Sequence, residues 1–146
     1  MSLINIEEWH RRARRDPSGD DFRVQFGCHL EEIVEMLECV KFYTKSGDFV
    51  DHTYLMQELE NFATSLKTDH LSAGIDDRES FLDSIADQVV TGVGAAYCAH
   101  MKPVEAIRRV DESNWTKFKN GLPAFNENGK IIKPDTYKEP NLYGCY

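Results

Sequence analysis

Apolar residues recur at intervals of three and four along most of the chain, which is the spacing of residues on one face of an α-helix. Breakers such as Asp16-Pro17-Ser18-Gly19 and Ser46-Gly47 separate these stretches. The pattern predicts five helices, at about residues 5–15, 20–43, 51–67, 78–100 and 103–118. We therefore expect an all-α protein, a four- to five-helix bundle in a single domain over residues 1–146.

The last part of the chain, residues 119–146, departs from this pattern. Glycine and proline follow each other too closely there for a helix, at Gly121, Pro123, Gly129 and Pro134. The dipeptide Asn128-Gly129 is typical of tight β-turns, and apolar residues flank it on both sides. We expect an irregular, extended tail with one short hairpin.

The fourth predicted helix carries no charge from Gln88 to Ala99, so it has no side that suits water. The sequence predicts that this helix is buried all round, either at the centre of the bundle or at an interface. Five helices can enclose it only partly, and Gly92 and Gly94 would let another helix approach closely. We therefore expect a homo-oligomer, a dimer or a dimer of dimers.

Charge and composition exclude several classes of protein. The chain has 17 Lys and Arg against 25 Asp and Glu, a net charge of −8, so we expect no nucleic acid polymer as a partner. The uncharged stretch Gln88–Ala99 is much shorter than the ~20 residues of a membrane span, and charged residues occupy the place of a signal peptide's apolar region. We expect a cytoplasmic protein with reduced cysteines and no membrane partner.

Four glutamates crowd the second predicted helix: Glu31, Glu32, Glu35 and Glu38. No base balances them before Lys41, and like charges at helical spacing repel each other and weaken the helix. One interpretation is a solvated acidic face. The other is a site where a bound cation offsets the repulsion.

A second group of acids precedes the uncharged stretch. Asp83 and Asp87 stand one turn apart and share a row with Val90 and Tyr97, so the pattern directs them toward the core. A partly buried acid pair is costly unless it is protonated, paired or bound to a cation, although acids near a helix start are also favoured by its dipole. Two helices that each present carboxylates one turn apart can surround Mg²⁺ or Mn²⁺, whose shell substrate phosphates usually complete.

Two motifs on these helices carry a resemblance to a known family. The segment from Glu31 to Glu35 reads Glu-Glu-x-x-Glu, and Asp87 ends a segment similar to Glu-x-x-Asp. In this order the motifs resemble the all-α nucleoside triphosphate pyrophosphohydrolase superfamily, which includes MazG proteins, dimeric dUTPase-like enzymes and phosphoribosyl-ATP pyrophosphohydrolase. Ser84 stands where that family has its second-motif glutamate, and the adjacent Asp83 is the residue that could replace it.

The resemblance covers about Phe22 to Leu142. A segment that reads Asn-x-x-Lys looks like the family's segment after the metal helices, where these two residues approach the substrate phosphates. The tail reads Gly-Lys-x-x-Lys-Pro, which is similar to the ending of several members. The resemblance implies that the substrate-binding residues are Gln25, Asn114, Lys117, Lys130, Lys133 and Tyr137.

The resemblance also implies a reaction, the Mg²⁺-dependent hydrolysis of a (deoxy)nucleoside triphosphate to the monophosphate and pyrophosphate. The implied metal ligands are Glu32, Glu35, Asp83 and Asp87. The implied catalytic residues are Glu31, Glu35 and Glu38, of which Glu31 or Glu38 would orient or deprotonate the attacking water. Two alternatives stay open: phosphoribosyl-ATP as the substrate, or a helical interaction module that has lost activity, as Ser84 would allow.

Overall fold

Residues 3–146, which the computed structural model describes, form five α-helices and two short antiparallel strand pairs. The helices are α1 (Leu3–Ala13), α2 (Gly19–Glu38), α3 (Thr53–Lys67), α4 (Arg78–Cys98) and α5 (Pro103–Trp115). The strands are β1 (Phe42–Tyr43), paired with β2 (Phe49–Val50), and β3 (Phe118–Lys119), paired with β4 (Leu122–Pro123). The predicted predominance of helices is confirmed, and the MazG-like type of bundle stays a prediction.

The described residues divide into two compact units, and the single domain stays a prediction. Unit 1 comprises residues 3–16, Ile75–Phe125 and Ile131–Tyr146, and unit 2 comprises Pro17–Gly74 and Asn126–Lys130. Unit 1 therefore contains α1, α4 and α5, whereas unit 2 contains α2 and α3. Unit 1 is nearly neutral, with 12 bases against 13 acids, while unit 2 has 5 bases against 12 acids. Most of the net negative charge lies in unit 2.

α2 begins with a complete capping box. The Ser18 hydroxyl accepts a hydrogen bond from the Asp21 backbone N–H at 3.1 Å, and the Ser18 N–H donates to the Asp21 carboxylate at 2.9 Å. The helix ends at Glu38, earlier than the predicted end at Tyr43. The prediction was wrong there because Phe42 and Tyr43 pair with β2 across a tight turn at Gly47.

α2 and α3 approach each other closely at Gly27. A Cβ atom there would lie 2.8 Å from the Ala63 carbonyl oxygen and 2.8 Å from Lys67 Cγ, so the approach requires glycine. Val24 and Leu66, each 2% exposed, are the largest fully buried side chains. This contact is the core of unit 2.

Periodicity predicts that Leu55, Leu59, Phe62 and Leu66 form the apolar face of α3, and only part of this row packs. Leu66 is buried as predicted, whereas Leu55 and Phe62 are 53% and 50% exposed, and Ala63, which lies outside the row, is buried. The close approach at Gly27 explains the difference, because it leaves room for a small side chain opposite the glycine.

In unit 1, α1 packs against α5. The buried Trp9 donates from its indole N–H to the Asn114 carbonyl oxygen at 2.9 Å, and its ring centre lies 5.5 Å from that of Phe118. Asn5, the predicted start of the first helix, lies inside α1.

The C-terminal tail is bound to α5 by side chains. Arg109 donates to the carbonyl oxygens of Asn141 and Tyr143 at 2.7 and 2.9 Å, and Lys102 Nζ donates to that of Gly144 at 2.9 Å. The extended tail is thus held in place although it forms no helix.

Two hairpins turn at Asn-Gly dipeptides. The predicted hairpin at Asn128-Gly129 is confirmed by an antiparallel bridge between Phe125 and Ile131. The β3–β4 hairpin was not predicted. It turns at Asn120 and Gly121, whose φ angles of 54° and 78° give it the positive-φ pair of a type I′ turn.

α4 is the longest helix, with 21 residues, and none of them is buried. The prediction that it is buried all round is therefore wrong for the single chain, because within residues 3–146 α4 makes few contacts with other helices, chiefly with α5. Asp83 and Asp87, predicted to be partly buried, are exposed. Within residues 3–146, no helix is long and apolar enough to cross a membrane.

Candidate functional site

An acidic pocket of about 190 Å³ lies between α2 and α3 in unit 2. Its charged lining consists of Glu31, Glu35, Glu38, Glu60 and Lys67. Val34, Ala63 and Thr64 complete it. The pocket brings together the three predicted catalytic residues, which one face of α2 presents to α3.

Lysines bind both carboxylate oxygens of Glu31. Lys67 Nζ, from α3, lies 2.6 Å from Oε1, and Lys130 Nζ, from the turn Asn126–Lys130, lies 2.7 Å from Oε2. Partial burial acts to raise the pKa of Glu31, but the hydrogen bonds from Lys130 and Lys67 outweigh it and hold that pKa below its ordinary value. Burial acts to lower the pKa of Lys130, and its hydrogen bond to Glu31 outweighs that and raises it.

The remaining glutamates of the pocket have no such neutralising partner. Within the described residues, Glu35 and Glu38 of α2 and Glu60 of α3 take part in no ion pair, and all three are exposed. Glu32 is exposed too and does not line the pocket, although its charge acts on Lys130. The pocket is therefore lined by three unpaired carboxylates in addition to Glu31, whose charge the two lysines neutralise.

The predicted metal ligands are divided between the units. Glu32 and Glu35 lie on α2 in unit 2, and Asp83 and Asp87 lie on α4 in unit 1. In the part of the chain that the structure describes, no three His, Cys, Asp or Glu side chains form a group that could hold a metal ion. The donor chemistry fits Mg²⁺, which prefers carboxylate oxygens, and the ligand set stays a prediction.

Three predicted substrate-binding residues form a cation–aromatic cluster in unit 1. Lys117 Nζ lies 5.7 Å and Lys133 Nζ 4.9 Å from the centre of the Tyr137 ring, and Lys117 Nζ is also 5.9 Å from that of Trp9. The Ser113 hydroxyl donates to the Tyr137 hydroxyl at 3.3 Å. Two ammonium groups beside one ring suit an anion with more than one charge.

The other predicted substrate-binding residues lie outside this cluster. Gln25 is exposed on α2, and Asn114 is half-buried on α5 with its carbonyl bound to Trp9. Lys130 binds Glu31 in unit 2. These three residues have no common location in the structure.

α3 contributes two residues to the pocket that are not predicted from the sequence, Glu60 and Lys67. They stand seven residues apart, two helical turns, and so lie on one face beside Ala63. This spacing is the sequence signal for the pair, but the row predicted for α3 lies on the neighbouring face.

Compared with known proteins, the chain matches no protein-family model, no curated protein and no solved structure.

Proposed function

We propose that the chain is an enzyme that hydrolyses a nucleoside triphosphate to the monophosphate and pyrophosphate with Mg²⁺. The observation that carries the proposal is the acidic pocket, where free carboxylates lie beside a glutamate bound by two lysines. A magnesium–triphosphate complex needs both kinds of group, carboxylates for the metal and bases for phosphate oxygens. The resemblance of the Glu31–Glu35 segment to the pyrophosphohydrolase motif supports the same reaction.

Glu31 acts in this proposal as a positioning residue. Both of its oxygens accept hydrogen bonds from lysines, and its pKa is lowered, so it is a poor acceptor for a proton. Its charge instead holds Lys67 and Lys130 at the pocket.

Glu38 is the better candidate for the general base. It lines the same pocket, and no lysine occupies its oxygens. It can therefore orient the attacking water and accept its proton.

Of the predicted metal ligands, Glu35 and Glu32 on α2 belong to unit 2 and are proposed to hold Mg²⁺ there, and the part of Asp83 and Asp87 on α4 stays a prediction. Bound Mg²⁺ would neutralise phosphate oxygens and lower the pKa of the attacking water. In unit 1, Lys117 and Lys133 are proposed to bind phosphate oxygens, and the Tyr137 ring beside them is proposed to position the substrate.

The test is pyrophosphate release from a panel of canonical and modified nucleoside triphosphates, with phosphoribosyl-ATP included, in the presence of Mg²⁺ or Mn²⁺. We expect one substrate to be turned over far faster than the rest, and Glu35→Gln to remove that activity. Glu58→Gln is the matched control, because Glu58 is an exposed α3 glutamate outside the pocket lining. Absence of turnover with every substrate contradicts the proposal.

A second candidate is the helical interaction module without activity. It is favoured by α4, whose 21 residues include no buried one. In that case Mg²⁺ should not raise the melting temperature, because a ligand that binds the folded state must stabilise it.

A further inference from the structure

The outer face of α4 exposes a continuous apolar stripe. Leu82, Val90 and Tyr97 are 68%, 68% and 73% exposed, and Val89 is 42% exposed. The exposed Ala86 and the half-buried Val93 belong to the same stripe, and all six residues lie within about 100° of each other around the helix, at 3.6 residues per turn. Such a stripe is the width that a packed helix normally buries, so it suits another helix rather than water.

The stripe is symmetric about its own midpoint. Leu82 and Tyr97 are equally far from the point between Val89 and Val90, and so are Ala86 and Val93. If a second copy of this helix lies antiparallel with its midpoint at the same place, every apolar position meets an apolar position of the partner. Self-complementarity of this kind is what a two-fold interface requires.

The charges of α4 select the antiparallel direction. Its acids lie at the N-terminal end, where Glu79, Asp83 and Asp87 precede the uncharged stretch Gln88–Ala99. Parallel packing would set each acid level with the same acid of the partner. Antiparallel packing about the stripe's midpoint separates the two Asp83 residues by about 20 Å along the axis, at 1.5 Å per residue, and also opposes the helix dipoles favourably.

We propose that the stripe formed by Leu82, Ala86, Val89, Val90, Val93 and Tyr97 is a homodimer interface, in which α4 packs antiparallel against α4 of a second copy of this chain. The proposal does not depend on any enzymatic activity. It specifies the face, the direction and the two-fold axis, which passes between residues 89 and 90.

The first test is the oligomeric state by sedimentation and light scattering. We expect a dimer at micromolar concentration, and we expect Val90→Asp to raise its dissociation constant by roughly 100-fold or more, because the dimer buries two unpaired charges. Ala95→Asp is the control, because it adds the same charge to the opposite side of α4 and should leave the dimer intact. A monomeric chain, or a dimer that Val90→Asp leaves unchanged, overturns the proposal.

The second test reads the direction and does not depend on how well Val90→Asp folds. In a Cys39→Ser, Cys98→Ser background, which removes the exposed thiols, mixed Leu82→Cys and Tyr97→Cys chains should form a disulfide-linked dimer. Leu82→Cys chains alone should not. A link between two Leu82→Cys chains overturns the antiparallel arrangement, and a chain that forms neither link and sediments as a monomer overturns the dimer.

Discussion

α2 and α4 have nearly the same length, 20 and 21 residues, yet only α2, the more highly charged of the two, contains buried residues. α2 carries an acidic run and still buries four residues: Arg23, Val24, Gly27 and Val34. α4 has eleven consecutive uncharged residues, from Gln88 to Cys98, and buries none. The difference lies in the neighbours, because α3 packs closely against α2 at Gly27, while in the part of the chain that the structure describes α4 makes few contacts with another helix.

The apolar content of a helix shows that it must be covered, but it does not identify the element that covers it. α2 buries its apolar side chains against α3 of the same chain and leaves its carboxylates at the edge of a pocket. α4 leaves four large apolar side chains exposed, and burying a Val or Leu side chain completely would contribute roughly 1.5–3 kcal/mol. The free energy that burying these side chains would contribute is the physical basis for expecting a second copy of the chain.

The largest expected effects belong to one predicted metal ligand on each helix. Glu35→Gln on α2 and Asp87→Asn on α4 should each lower kcat by roughly 100-fold or more, because each removes the charge of a predicted metal ligand and keeps its shape. Both variants should keep the helical circular dichroism signal, and their stability without metal should be equal or slightly higher as repulsion falls. Steady-state pyrophosphate release at saturating Mg²⁺ measures kcat.

The adjacent positions on α4 provide the internal control. Asp83→Ala should be as damaging as Asp87→Ala, whereas Ser84→Ala should be mild, since the Ser84 hydroxyl donates only to the Ser80 carbonyl of its own helix at 2.8 Å. The opposite ranking would show that Ser84, not Asp83, occupies the ligand position. Near wild-type rates in the α2 variant alone would confine the site to α4.

Periodicity was sufficient to predict the helices but not which faces meet. Predicted and observed limits agree closely for the helix that begins at Arg78. Of the row Val24, Gly27, Leu30, Val34 and Leu37 that periodicity predicts in α2, Val24, Gly27 and Val34 are buried. The predicted face of α3 is right at Leu66 and wrong at Phe62, because the close approach at Gly27 selects the small Ala63 instead, and the pattern of one helix carries no information about its partner. The same limit hid Lys67, whose role depends on reaching a residue 36 positions away.

The next effect is the difference in unfolding free energy between two glycine-to-alanine substitutions, one at a helix contact and one in open space. Gly27→Ala should destabilise the fold by about 1–3 kcal/mol, because the new Cβ would lie 2.8 Å from backbone and side-chain atoms of α3. Gly92→Ala on α4 meets nothing within 4 Å and should stabilise the helix by about 0.5–1 kcal/mol through the better helix propensity of alanine. Urea unfolding of both variants measures the difference, and equal shifts would contradict the close α2–α3 contact.

A smaller effect belongs to the cation–aromatic cluster of unit 1. Lys133→Gln should raise KM for the triphosphate about 10-fold with kcat nearly unchanged. It removes one of the two positive charges proposed to bind phosphate oxygens and leaves the Tyr137 ring in place. Lys138→Gln is the matched control, since Lys138 is an exposed tail lysine whose ammonium contacts neither the Tyr137 ring nor the Trp9 ring. If both variants raise KM equally, the effect is one of general charge and the cluster is not a binding site.

The smallest effect is the pH dependence of the Glu31 pair in unit 2. The pKa of Glu31 is lowered in the folded chain, so the pair's stabilisation is fully present above the ordinary glutamate pKa of 4.5 and is lost as pH falls through the lowered value. Because its pKa is raised, Lys130 keeps its charge until pH rises above the ordinary lysine value of 10.5.

The wild type should therefore exceed Glu31→Gln in unfolding free energy by about 1 kcal/mol between pH 6 and 9, since hydrogen bonds between charged groups contribute this much when they are partly exposed. That excess should shrink between pH 5 and pH 3, while the difference between wild type and Glu58→Gln stays near zero throughout. An excess that does not change with pH would show that the two lysines contribute packing rather than charge.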